Sequence, residues 1–323
     1  MALKFDEIRF TVNARHRSPV AKPGRLGAGL SWRYVAASAA GTAHEQTRTP
    51  CQDYAYTATA SARDGTQYLI ALASDGAGSA LRSEAGSRLA CESGGAFLLE
   101  YLTHEGSASR HVLNKGLARA CLEHIRSTLE NTVSQEHVEA LEGFPDAEVK
   151  RPAGVRAEAR GAAPVLRDYA CTLVGLVSGP KHALAFQIGD GAVVIRRNGE
   201  LAPVFWPDAG EYANMTYFVT DHDAEQHLQI AQIDAPHEAS LLTDGLQRLA
   251  LVFSTRQAHA PFFEPMFAVL RNLHSDQCGS LNAQLASFLS SPAVNQRTDD
   301  DKTLILATRM GPDLSLHPEV ACP

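Results

Sequence analysis

Nothing in this sequence approaches the roughly 18 consecutive apolar residues of a membrane-spanning helix, so no transmembrane segment is expected. The six cysteines (51, 91, 121, 171, 278 and 322) never occur as C-x-x-C, and none of the 13 histidines stands in H-E-x-x-H or beside cysteines at zinc-ligand spacing. Zinc is therefore not expected. Lys4, Asp6 and Glu7 sit where a secretory signal would place its apolar stretch, so the expectation is reduced thiols and a cytoplasmic location. No dense Lys/Arg run is present and the net charge is −7, which argues against a nucleic-acid partner. A G-x-S-x-G elbow, a Walker phosphate loop and a G-x-G-x-x-G after a strand are also missing.

What is present suffices for a large core. Of 323 residues, 45% are apolar and 20% charged, enough for one large domain or two small ones. Residues 1–31 read as an irregular lead-in, 32–310 as a single domain and 311–323 as a tail. Strands are expected at Trp32–Ala40, Tyr54–Thr57, Tyr68–Ser74, Ala170–Val177, Ala183–Ile188, Ala192–Arg196, Met215–Val219, Leu228–Ile233, Ala239–Thr243 and Thr303–Ala307. The mostly apolar Tyr68–Ser74 run suggests a strand covered on both faces. A helix over about Ala80–Leu102 would bury Leu81, Ala85, Leu89, Phe97 and Leu98. A second would bury Leu113, Leu117, Ala118, Cys121, Leu122, Ile125 and Leu129, with further helices at 261–273 and 280–290. Residues 143–168 read as a long surface loop. Strands in runs and helices in separate runs indicate an α+β layered domain rather than a βαβ sheet.

Three apolar strands run into Asp-Gly: Asp75-Gly76, Asp190-Gly191 and Asp244-Gly245. Asp53 immediately precedes another strand, and Asp299-Asp300-Asp301 leads into the last. Asp-Gly is a common turn dipeptide, and Asp190-Gly191 alone reads as a turn. Recurrence beside buried strands shifts the reading, because strand ends can bring distant carboxylates together. Converging carboxylates repel one another unless cations compensate, and oxygen ligands select hard ions such as Mg²⁺ or Mn²⁺.

The ordered segments Cys51-Gln52-Asp53, Ser74-Asp75-Gly76-Ala77-Gly78-Ser79, Tyr169-Ala170-Cys171-Thr172, Gly189-Asp190-Gly191, Thr243-Asp244-Gly245-Leu246 and Asp300-Asp301-Lys302-Thr303 resemble the metal-dependent protein phosphatase family, also called protein phosphatase 2C, in its divergent bacterial branch. The resemblance implies a four-layer α-β-β-α sandwich with two antiparallel sheets flanked by helices. It implies two Mg²⁺ or Mn²⁺ ions, with Asp75 bridging, the Gly76 carbonyl and Asp53 on one side, and Asp244 and Asp300 completing the other shell. Asp190 would hold a third ion. Arg48, five residues before Asp53, matches a phosphate-binding arginine, or is a surface arginine in the turn Thr47-Arg48-Thr49-Pro50. Two departures stand out. Ala77 replaces a histidine common in the family, and Arg248 replaces an acidic residue four positions after Asp244.

The activity implied is hydrolysis of phosphoserine and phosphothreonine in proteins by metal-activated water, with catalytic roles for Asp75 and Arg48 and a Ser/Thr kinase as the opposing partner. Two other readings stay open at this point: a non-catalytic phospho-signalling module of the same fold, and a phosphatase of small phosphoesters. No membrane or nucleic-acid partner is expected. His44, near the expected site, is the one histidine kept as a candidate.

Overall fold

The structure is a computed structural model, and it describes residues 31–104, 112–142, 164–207, 216–272 and 278–311. The lead-in up to residue 30, residues 143–163 of the expected loop and the tail beyond residue 311 lie outside the described residues. The strands are β1 (Ser31–Ala39), β2 (Tyr54–Ser61), β3 (Gln67–Ser74), β4 (Leu173–Ser178), β5 (His182–Ile188), β6 (Ala192–Arg197), β7 (Glu200–Pro203), β8 (Gln229–Asp234), β9 (Glu238–Leu242), β10 (Leu251–Val252), β11 (Gln257–Ala258) and β12 (Lys302–Met310). The helices are α1 (Thr42–Thr47), α2 (Ser83–Thr103), α3 (Lys115–Glu142), α4 (Ala224–His227), α5 (Gln247–Ala250), α6 (Ala260–Asn272), α7 (Cys278–Leu289) and α8 (Pro292–Asn295).

Two five-stranded antiparallel sheets form the centre, in the orders β2-β3-β4-β5-β8 and β1-β12-β9-β6-β7. Side chains alternate between the faces of a strand, and that alternation builds three apolar layers. In β3, Ile70 and Leu72 face α2 and α3, while Ala71 and Ala73 face the other sheet. In β12, Leu304 and Leu306 join the α6–α7 layer, and Ile305 joins the layer between the sheets. That middle layer is Ala71, Ala73, Val174, Leu176, Ala183, Ala185, Val193, Ile195, Ala239, Leu241 and Ile305. The result is the expected α-β-β-α sandwich, with β3 covered on both faces.

Some local expectations are corrected. The first long helix starts at Ser83, not Ala80, and Leu81, expected on its buried side, is 84% exposed. Its buried face is Ser83, Gly86, Ser87, Ala90, Cys91, Gly94, Gly95, Leu98 and Leu102. Small side chains let the helix lie close to the sheet: a Cβ at Gly95 would meet the Tyr56 ring, and one at Gly94 would meet Ile125 of α3. The stripe expected on α3 is buried as read, but Leu113 precedes the helix and Asn114 caps it through Leu117 N–H (3.0 Å). Residues 216–219 form no strand, and β4 begins at Leu173 because Leu166–Tyr169 is a turn of 3-10 helix. Cys91, Cys121 and Cys171 are buried free thiols in the core, as expected.

Candidate metal centre

The strand register dictates where the aspartates meet. Tyr54 of β2 lies opposite Ser74 of β3, so Asp53 and Asp75 emerge side by side from one end of the first sheet. In the second sheet Leu242 lies opposite both Leu304 and Ala192, so the chain leaves β9 toward Asp244 beside the segment entering β12 and the turn before β6. Asp190 sits in that turn. Gly189 makes it possible, with φ +99, and a side chain there would also strike Thr172. At Gly245 the constraint is space: a Cβ would lie 1.9 Å from the Asp301 carbonyl oxygen.

The closest group is Asp75, Asp190 and Asp244, one carboxylate oxygen of each lying within 4.8 Å of the other two. Asp53 adjoins Asp75, and Asp300 faces Asp244 and Asp75 closely enough to perturb both. Burial pushes Asp53 up to about 7. Asp75 is driven well above the carboxylate range by burial and then by Asp53 and Asp244. Burial, followed by Asp190 and Asp300, lifts Asp244 to about 8, and burial also raises Asp300. Among the described residues no lysine or arginine pairs with Asp53, Asp75, Asp244 or Asp300 to relieve this repulsion.

Neighbouring groups fix the carboxylates in place. Thr243 Oγ1 donates to Asp53 Oδ2 (2.7 Å) and accepts from Thr303 N–H (2.9 Å), tying the first sheet's aspartate to both strands of the second. Asp53 Oδ1 is buried without a hydrogen-bond partner. The Gln52 carbonyl accepts from Gly76 N–H (3.1 Å) and from Ser87 Oγ of α2, joining the Asp53 loop, the Asp75 turn and the helix. Asp190 accepts from Thr216 Oγ1 (3.0 Å) at its carboxylate and from Gln247 Nε2 (2.6 Å) at its carbonyl. The buried Lys302 ammonium donates to the carbonyls of Ala40 and Asp300 and to Asn295 Oδ1, and its pKa is lowered by burial.

Other candidates behave differently. Gly76 packs against Ser83 and bridges to Cys171. Arg48 follows α1 at φ 58 and is exposed; its backbone N–H donates to the Glu45 carbonyl (3.3 Å), and its guanidinium makes no hydrogen bond or ion pair among the described residues. Arg248 is exposed, and its neighbour Gln247 is the α5 residue that reaches Asp190. Asp301, next to Asp300, turns its carboxylate to the backbone of Gly41 and Gln52 and to His44. Sequence reasoning missed Thr243, Ser87 and Asp301. Thr243 carried a signal by its place immediately before Asp244, and Asp301 by its place in the acidic run before the last strand; Ser87 carried none.

A buried carboxylate group with an unpartnered oxygen and no neutralising side chain is the donor set that hard divalent cations require. The fold and this centre define the class: an α-β-β-α sandwich with a divalent-cation site spanning its two sheets.

Comparison with known proteins places the chain within that class. A profile of the family described as protein phosphatase 2C matches residues 40–290. Serine/threonine-protein phosphatase 3 of Escherichia coli (strain K12) is 39% identical over 279 residues, covering 86% of this chain and 98% of that protein. Solved structures that align include the Mycobacterium tuberculosis serine/threonine phosphatase PstP/Ppp (16% identity, TM-score 0.49, covering 86% of this chain and 98% of that one). PppA, a regulatory component of T6SS in Pseudomonas aeruginosa, also aligns (17% identity, TM-score 0.47, with the same coverages). The chain belongs to the protein phosphatase 2C family and is a metal-dependent phosphatase, a hydrolase.

Proposed function

We propose that this protein hydrolyses phosphoserine and phosphothreonine monoesters in protein substrates, using two Mg²⁺ or Mn²⁺ ions held by its carboxylates. The observation that carries the proposal is the convergence of buried Asp53 and half-buried Asp75, Asp190 and Asp244, with the more exposed Asp300 beside them, as a mutually repelling group. Asp75 stands centrally, between Asp53 on one flank and Asp190 and Asp244 on the other, and is assigned the bridging position. Asp53 and the Gly76 carbonyl are assigned to one ion, Asp244 and Asp300 to the other, and Asp190 to a third ion within reach of Asp75 and Asp244. Bound divalent ions supply an activated water and neutralise the phosphoryl charge. Arg48 is assigned to the substrate's phosphoryl oxygens, as a guanidinium fork suits a tetrahedral oxyanion. Ala77 is buried and carries no titratable group, so the leaving alkoxide takes its proton from elsewhere. The substrates would be products of Ser/Thr kinases in the same compartment, the cytoplasm, and the domain would comprise residues 32–310.

Hydrolysis of a phosphopeptide and of a small aryl phosphate, with Mn²⁺, Mg²⁺ or EDTA, tests this reading. Activity is expected on the phosphopeptide with either ion, none with EDTA, and a fall of at least about 10³-fold in Asp75→Ala. Activity that ignores EDTA or survives Asp75→Ala overturns it. Activity on the aryl phosphate alone would move the substrate class to small phosphoesters.

A further inference from the structure

The segment between β1 and β2 carries two residues assigned to the chemistry, Arg48 and Asp53, yet it has almost no apolar anchor: α1 buries none of its residues. Its position is set instead by the chain entering β12. Gly41 N–H donates to Asp301 Oδ1 (2.6 Å), and Gln52 N–H donates to Asp301 Oδ2 (2.6 Å). The two ends of the 41–52 loop are therefore drawn to the two oxygens of a single carboxylate, which is 2% exposed. Three further contacts run the same way. Ala43 N–H donates to the Asp299 carbonyl (3.0 Å), Lys302 Nζ donates to the Ala40 carbonyl (3.2 Å), and Gly41 sits against the Asp299–Asp300 backbone so closely that a Cβ would lie 2.2 Å from it.

His44 is the side chain that the loop itself contributes. Its Nδ1 lies 2.9 Å from Asp301 Oδ2, an ion-pair distance whose angle is not that of a hydrogen bond, and the side chain is 22% exposed. The backbone after it folds back onto it, with Thr49 N–H donating to the His44 carbonyl (2.9 Å) and Arg48 in the left-handed conformation between them. A displacement of His44 thus moves the turn that aims Arg48. Asp300, one residue away, lies close enough to Asp75 and Asp244 to raise both, and its Oδ1 accepts from Asp301 N–H (2.8 Å).

From this geometry we infer that His44 and Asp301 form a positioning pair, which holds the 41–52 loop so that Arg48 meets the substrate's phosphate at a fixed distance from the ions. The inference rests on the assignment of Arg48 made above. His44 is a positioning residue in it and touches no reacting atom. A group held less firmly in place binds the phosphate more weakly, because its orientation must then be fixed at the cost of binding energy. Here the loss falls on phosphate binding and not on the ions, because Asp53 is held independently of His44, by the Gln52–Asp301 bond before it and by Thr243 Oγ1.

Steady-state kinetics on an aryl phosphate and calorimetric titration of the Mn²⁺-loaded protein with inorganic phosphate test the pair in full-length protein. His44→Ala is expected to raise KM and the phosphate Kd together by about tenfold, with kcat and Mn²⁺ affinity changed less than about threefold. Arg48→Ala should show the same signature, and His44→Ala/Arg48→Ala should be no worse than Arg48→Ala alone. Because Asp301 is buried, Asp301→Asn is compared with Asp301→Ala. The amide retains acceptor oxygen for the loop and should recover part of the phosphate affinity. Additive losses in the double variant, a fall in kcat at constant KM, or a loss of Mn²⁺ affinity in His44→Ala would each overturn the inference. Should the wild type hydrolyse no ester, the proposed function fails, and the phosphate titrations still decide the pair: binding weakened in His44→Ala and Arg48→Ala alike supports it, binding retained in either refutes it.

Discussion

The two helical layers of the sandwich do different work, and their side chains show it. The layer over β1, β12, β9 and β6 is filled by volume. In α6, Phe262, Phe263, Met266, Phe267 and Leu270 are buried, with Phe262 and Phe263 edge to face at 5.0 Å. The layer over the other sheet meets it through α2, whose face is largely glycine, serine, alanine and cysteine. Large side chains keep backbones apart and bury area, whereas small ones bring backbones close enough for hydrogen bonds. Ser87 Oγ therefore reaches the Gln52 carbonyl, and Gly86 sits directly on the Tyr169 carbonyl, one residue before the segment that bonds Ala77 and Asp75. One layer contributes bulk stability and the other aligns the centre.

That division can be broken or sharpened by experiment. The largest effect expected is electrostatic and belongs to the centre that α2 aligns. Asp53 and Asp244 have folded-state pKa values of about 7 and 8 against an ordinary 3.8, so between these values the folded state binds more protons than the unfolded one. Stability of metal-free protein must then fall as pH rises from about 4 to about 8. Thermal melts with EDTA should show this decline, and Mn²⁺ should raise the midpoint more at pH 8 than at pH 6. A midpoint independent of both would remove the carboxylate group as the source.

Next in size is a matched pair. Phe263→Ala should cost about 3–5 kcal/mol in urea denaturation while leaving Mn²⁺ affinity unchanged in the folded protein. Gly86→Ala should cost about 1–3 kcal/mol, since its Cβ would lie 2.2 Å from a backbone oxygen, and yet weaken Mn²⁺ binding measurably by calorimetry. Equal effects of the two on Mn²⁺ would erase the distinction between the layers. The smallest effect is that of Ser87→Ala, about 1 kcal/mol, accompanied by a modest loss of Mn²⁺ affinity because the Gln52 carbonyl keeps only its bond from Gly76.

The same contrast explains what the sequence made legible. Strand runs ending in aspartate were readable because a strand covered on both faces needs a continuous apolar run, and Tyr68–Ser74 supplies one. Asp190 was ambiguous as Asp-Gly alone, and its place beside Asp75 and Asp244 depends on three strand ends meeting. On α2 the periodicity of large apolar residues found Leu98, Ala85, Leu89 and Phe97 on the core side and failed only at Leu81, while the small residues that make up most of the buried face leave no such trace. The α1 helix, with no buried residue, offers no periodicity at all. The Asp301 contacts join residues 249 and 260 positions apart through backbone N–H groups, which every residue but proline possesses. No local pattern can announce them.

The middle layer, rich in alanine, has a bearing on engineering. Asp53 and Asp75 hang from one sheet, Asp244 and Asp300 from the other, and Asp190 from the turn joining β5 to β6, so the five carboxylates act as a vernier across the seam. A slight slide of one sheet over the other leaves each sheet's own ladder intact but throws the marks out of coincidence. Substituting Ala71 or Ala239 would thus be felt as a change of ion preference before it was felt as a change of fold.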